Sequence, residues 1–390
     1  MAVYKLFPLK DASMYAFYPF MNTGIDPIIE VGNLNVNINP VPQVFRYVIE
    51  FDQSEIEDVV DNKVGTGKTF ASGLKAYIAS AQGIIFDTNL EIYPISGSWN
   101  NGNGTYLDSP FTENGVSWKA RNFSGSAASG AEYWNLNVPS YATYVTSSWS
   151  SSMEGGGTWY TGSNDPNNLN VTTSVEYKLR SSKDLNADVS DIVNIWYSSS
   201  KNIGGYTNIV NDGFIVKWED SIEFNTADAI QPIMQFYSVD TNTIYPPVLE
   251  IKWDDQIFET GSLPSLDTSD IFVALDNNPG VFYSESVNRF RLNCRPDYPV
   301  RKFMTSSIDT VNHYLPSGSL WAIKDLDTNE FIVNFDDNYT KISCDSTSNY
   351  FDVYMAGLQP ERYYKILIQT TISGSTLVKD DNYYFKVINR

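Results

Sequence analysis

Asn33-Leu34-Asn35-Val36-Asn37-Ile38-Asn39 alternates polar and apolar residues without a break and stops at Pro40. A half-buried strand needs this period of two, because successive side chains leave the backbone on opposite faces. The same period returns at residues 43–51, 83–93 and 213–218, with turn residues between them. Short alternating segments separated by turn signals point to a β-sandwich. Composition agrees: only 18% of residues are charged, against about 25% in ordinary chains. Ser, Asn, Thr, Gly and Tyr fill the difference, and they suit turns and strands better than helices.

Two stretches break the pattern. Residues 54–60 read as a helical turn capped by Ser54, and residues 189–197 as a short amphipathic helix. Between Trp118 and Asn170 the composition shifts to Ser, Gly, Asn and Trp, which reads as a long insertion, about 119–170, that is either functional or ordered by a partner. Its rings Trp134, Tyr144, Trp149, Trp159 and Tyr160 are expected at a protein interface or stacked on a glycan. The alternative is that they pack onto the domain's own sheet. A boundary falls near Trp253, giving a first domain at 1–253, a linker at 254–265 and a second domain at 266–390. The alternating segments 290–294, 320–323, 331–335, 363–368 and 383–388 fit an immunoglobulin- or fibronectin-like sandwich there.

The balance of 26 Lys plus Arg against 46 Asp plus Glu leaves a charge of −20. Nucleic acid and anionic membrane surfaces both need clustered basic residues, so neither is an expected partner. The longest apolar runs, such as Gly83-Ile84-Ile85-Phe86, fall far below the roughly 20 residues of a membrane span. The first residues show no apolar core followed by a small-residue cleavage site, so no signal peptide is expected. The composition nonetheless resembles that of an extracellular surface protein. A virion component, assembled in the host cytoplasm and acting after release, reconciles the two.

Chemistry is sparsely signalled. Cys294 and Cys344 lack zinc or redox spacing and read as buried thiols, with a disulfide as the other option. His313 is the only histidine, which excludes multi-histidine metal sites and leaves no other base for Ser-His or Cys-His catalysis. It is expected to be a polar residue beside Tyr314 in a loop ending at Pro316 rather than a catalytic one. Gly65-Thr66-Gly67-Lys68-Thr69 imitates part of a phosphate loop, but position 62 is Asn62 where the first Gly is required. Asp336-Asp337-Asn338 and the Asp325/Asp327 pair offer oxygen ligands without a calcium-loop frame, so solvated turns are expected. The sequons at Asn103, Asn122, Asn170 and Asn338 are chance occurrences in an Asn- and Ser-rich chain. No catalytic residue, cofactor or metal is expected.

Several spaced signatures carry a resemblance. Lys10-Asp11-Ala12-Ser13-Met14-Tyr15, Asn22-Thr23-Gly24 and Val31-Gly32 open the chain; Phe45-Arg46-Tyr47-Val48-Ile49-Glu50-Phe51-Asp52 follows. Ser98-Trp99 and Ser117-Trp118 come next, then Asp188-Val189-Ser190-Asp191-Ile192, Asn211-Asp212-Gly213-Phe214 and Pro246-Pro247-Val248-Leu249-Glu250-Ile251. In this order they resemble the DNRLRE-type β-sandwich related to disaggregatase and carbohydrate-binding modules, over the first ~255 residues. The opening is also similar to that of virion proteins of T4-like marine tailed phages. The resemblance implies an all-β chain with a jelly-roll-like N-terminal sandwich. It also implies architectural roles for Arg46, which needs a buried acidic partner, and for Asp188 as a helix cap.

The function expected from these readings is a non-enzymatic structural component of a tailed-phage virion. Its partners would be other virion proteins, with a homo-oligomer or multiple copies per particle. The alternative is a carbohydrate-binding adhesin or receptor-binding protein meeting a surface glycan.

Overall fold

A computed structural model describes residues 2–389 apart from 35–42, 66, 125–130, 135–141, 144–154, 161–170, 205–208, 224, 226–229, 277, 300–310 and 382. The chain is all-β, with 43% strand and 9% helix, and its sheets build two sandwich-like units. The N-terminal unit comprises Leu6–Asp58 and Ser72–Glu250; the C-terminal unit comprises Met1–Lys5, Val59–Ala71 and Ile251–Arg390. The C-terminal unit therefore takes in two segments from early in the chain, which no strand pattern after residue 266 announces. No helix among the described residues is long and apolar enough to cross a membrane.

The N-terminal unit is organised by an eight-stranded antiparallel sheet with Val44–Glu50 near its centre. Phe214–Trp218 pairs with it, as do Lys10–Tyr15 and the end of Ile28–Asn33. The expected segments 43–51 and 213–218 are the strands Val44–Glu50 and Phe214–Trp218, whereas 83–93 resolves into a turn region followed by the strand Thr88–Pro94. The most regular alternation, 33–39, lies outside the described residues beyond Leu34.

Antiparallel sheets commonly leave one face to water, but here both faces of the central strands are buried. On one face Phe214 meets Trp196 of the helix Ser190–Ser200, with ring centroids 4.7 Å apart. The helix begins where expected, and Asp188 accepts a hydrogen bond from Ser190 N at 3.0 Å, satisfying a free first-turn donor. In the earlier helix, Gln53–Asp58, the cap differs from expectation. Asp52 accepts from Ser54 N at 2.8 Å, so Asp52, not Ser54, supplies the capping oxygen. The carboxylate two residues upstream reaches the exposed N–H that Ser54 itself carries.

The C-terminal unit stacks a four-stranded sheet, containing Ile271–Asp276, Val287–Pro296, Asn349–Tyr354 and Ser343–Cys344, on a six-stranded one. The larger sheet runs Val281–Tyr283, Tyr384–Ile388, Tyr363–Ile372, Leu320–Asp325 and Phe331–Val333, with Ser375–Lys379 also paired to Tyr363–Ile372. Trp321 stacks on Phe351 with centroids 5.0 Å apart, and Phe290 meets Phe385 at 5.5 Å, closing the core. Cys294 and Cys344 are free thiols, both buried. Burial pushes them up to about 12 and about 11, so both stay protonated and unreactive near neutral pH.

Candidate interaction site

The sheet face opposite the helix is covered by tryptophans. Trp118, Trp134 and Trp159 pack with Met14, Val48 and Ile215 in one buried cluster. Trp134, Trp159 and Tyr160, expected at an interface or on a glycan, are buried, and Trp134 and Trp159 take the alternative of packing onto their own sheet. The physical reason is the apolar second face of the central strands, which needs a cover and finds it in these rings. Tyr144 and Trp149 lie outside the described residues.

Arg46 lies at the centre of that cover, fully buried. Its Nε and Nη2 donate to the two carboxylate oxygens of Glu223 at 2.8 and 2.6 Å, and Nη1 donates to the Gly156 carbonyl at 2.8 Å. The guanidinium lies 5.1 and 5.2 Å from the ring centroids of Trp118 and Trp159. Lys217, also buried, reaches Glu91 at 3.0 Å, Asp220 at 2.9 Å and Glu223 at 3.8 Å. Each charge has a counter-charge and hydrogen bonds, which is the condition for burying it at all. Through Gly156 this ion group fastens residues 155–160 to the sheet. It serves cohesion, because every member is occupied inside the unit.

A different set of aromatic residues reaches solvent. Tyr18, Tyr106 and Phe111 are each partly exposed, Ile25 lies in the same loop group, and Leu107 is 88% exposed. They stand on two loops, near residues 16–26 and 101–116, which meet on the buried side chain of Asn22. Asn22 Nδ2 donates to the carbonyls of Asn101 at 2.7 Å and Val116 at 2.8 Å. Its Oδ1 accepts from Gly24 N at 3.1 Å and Gly104 N at 2.8 Å. The amide's full donor and acceptor capacity is thereby used. Glycine is required where the loops touch: a Cβ on Gly24 would fall 2.1 Å from the Asn101 carbonyl oxygen, and Gly102, at φ +80°, would place one 2.3 Å from Asn22 Oδ1.

The rings brace one another from below. Tyr106 lies 5.2 Å from Tyr15, Tyr18 lies 4.6 Å from Phe111, and Tyr15 Oη donates to Glu30 at 3.1 Å. Burial raises the Glu30 carboxyl above its ordinary value. Several polar groups of the loops bond to one another. Asp26 accepts from Ile28 N at 3.1 Å and Tyr106 N at 2.8 Å. Asp108 accepts from Thr105 N at 3.0 Å and from the hydroxyls of Thr105 and Thr112, and these bonds, Thr112 first, hold its carboxyl below the ordinary range. Asn103 and Asn114 bond each other. Exposed among Asn103, Ser109 and Glu113 are the rings and Leu107, so the braced tip presents an apolar group inside an acidic, polar rim.

This tip was missed by the sequence reading, although Tyr15-Ala16-Phe17-Tyr18-Pro19-Phe20 is as dense in rings as the insertion. The remaining sequence candidates have structural roles. Asp325 pairs with Arg362 at 2.6 Å and accepts from Asp327 N at 2.9 Å, and Asp336 accepts from Asn338 N at 2.8 Å, so both close turns. Among the described residues no group of three His, Cys, Asp or Glu could hold a metal ion. Gly67, Lys68 and Thr69 line an open cleft of about 600 Å³ in the C-terminal unit beside Arg289, Tyr350 and Asp352. The chain continues from them into the strand Phe70–Ala76, whereas a phosphate loop opens a helix. No family model, no curated protein and no solved structure matches the chain.

Proposed function

We propose that this chain is a non-enzymatic assembly component of a tailed-phage virion, acting through protein–protein contact. The observation that carries the protein-contact reading is the Asn22-pinned tip. A glycan site combines ring platforms with free hydrogen-bonding groups, and here Asp26, Asp108, Asn103 and Asn114 are bonded within the loops. A protein partner instead gains from a preorganised apolar anchor, because rings and Leu107 desolvate on docking without ordering costs. The virion setting is supported by the acidic, Ser- and Asn-rich composition and by the resemblance to phage virion proteins.

The test replaces Leu107 with Asp and Phe111 with Ser, two residues outside the buried core. The expected outcome is an unchanged thermal midpoint and a loss of the protein from assembled particles. Normal incorporation, combined with lost adsorption to host cells, would reverse the reading in favour of a receptor- or glycan-binding protein.

A further inference from the structure

A second surface lies in the C-terminal unit and has another character. The outward face of its six-stranded sheet carries two cross-strand rows, Val281–Lys386–Tyr363 and Tyr384–Lys365–Lys324–Phe331, each residue opposite the next in register. Inward neighbours on these strands, Phe282, Tyr364 and Phe385, belong to the core or pack against it, so alternation fixes the rows on the outer side. Tyr363, Tyr384 and Val281 are about half exposed there. A solvent-facing strand surface ordinarily carries few large apolar groups in one place.

We propose that this face is a self-association surface for a second copy of this chain. Charge selects that occupant. The N-terminal unit carries 10 Lys plus Arg against 26 Asp plus Glu, and the C-terminal unit 16 against 20. Two copies so acidic overall can approach closely only where the charge is nearly balanced, which is the C-terminal unit. The face carries both signs side by side: Lys365 pairs with Asp380 at 2.5 Å, and Lys386 pairs with Glu361. A twofold axis through such a surface sets lysines of one copy against acids and rings of the other, so the same patch is complementary to itself. The lysine positions already show an affinity for rings, Lys324 lying 4.3 Å from the Phe331 centroid and Lys386 5.8 Å from that of Tyr363. The loop tip of the N-terminal unit has no such balance, since Asp26, Asp108 and Glu113 lie in its loops without a lysine among residues 101–116. Two tips repel, and the tip is left for a different protein.

Sedimentation equilibrium of the full chain over a concentration series tests this. A reversible monomer–dimer equilibrium is expected, weakened at least tenfold by Tyr363→Ser with Tyr384→Ser and unchanged by Leu107→Ser. Both tyrosines project to solvent, so the thermal midpoint should hold; if the double variant does not fold, Tyr384→Lys alone gives the same readout. A chain that stays monomeric throughout, a dimer indifferent to these tyrosine variants, or a dimer lost through Leu107→Ser would each overturn the proposal.

Discussion

Arg46 with Glu223 and Arg289 with Asp352 are nearly the same object in two settings. Each guanidinium donates twice to one carboxylate, at 2.8 and 2.6 Å in the first pair and 2.8 and 2.8 Å in the second. Each lies against aromatic rings, Arg46 between Trp118 and Trp159 and Arg289 4.1 Å from the Tyr350 centroid. They differ in water. The first pair is 0% and 1% exposed, the second 46% and 23%. Contact geometry therefore does not set the energetic weight of such a pair. Burial does, because only the buried charges lose hydration that a missing partner cannot restore.

The largest effect expected from this contrast is on Arg46. Arg46→Ala takes both guanidinium hydrogen bonds from the buried Glu223, leaving it Lys217 at 3.8 Å, frees the Gly156 carbonyl and opens a gap beside two indoles. A loss of about 3–5 kcal/mol follows for breaking a buried pair from one side. Denaturant unfolding measures it. A loss below about 1 kcal/mol would mean that water reaches Glu223 and that the two pairs are equivalent after all.

Asp11 sharpens the comparison from the opposite direction, as a buried carboxylate that accepts from a backbone N–H. It is 1% exposed and accepts from Val239 N at 2.7 Å. Burial above all pushes its carboxyl up from the ordinary 3.8 to about 8. Between those values the unfolded chain is ionised while the folded chain holds the proton, so the folded state loses stability as pH rises, by at most about 1.4 kcal/mol per pH unit. Above about pH 8 the effect is complete. Asn at this position keeps an acceptor for Val239 and does not titrate. Asp11→Asn should therefore gain on the wild type steadily from pH 5 to pH 7 in paired urea titrations, and a constant gap between the two would place the ionisation of Asp11 near its ordinary value.

How far these features could be read in advance follows the distance over which they are built. The strand Val44–Glu50 is legible because alternation is local, and Arg46 is conspicuous because it interrupts an apolar run. Its partner was not legible, since Glu223 lies 177 positions away. The insertion's tryptophans were visible as rings but not as a cover, because their burial depends on a sheet face formed by strands from both ends of the unit. The exposed tip failed for the same reason: Asn22 meets Asn101 and Val116 across 79 and 94 residues. Likewise nothing local in Val59–Ala71 assigns that segment to the C-terminal unit.

The smallest effect is the one that makes the contrast quantitative. Arg289 occupies a strand of the C-terminal unit where its neighbour two residues on, Arg291, pairs with Asp345 at 2.8 Å and lies 5.5 Å from the same Tyr350 ring. Removing Arg289 leaves Asp352 free to hydrate, and Arg291 still shields one side of Tyr350. The remaining cost is a solvent-screened ion pair and one exposed cation–ring contact, together below about 1 kcal/mol. Arg289→Ala should shift the denaturant midpoint slightly, and about 1 M added salt should shrink that shift because exposed pairs are screened. The Arg46→Ala deficit, sealed from solvent, should keep its size in the same salt. If salt reduced both deficits alike, burial would not be what separates the two pairs.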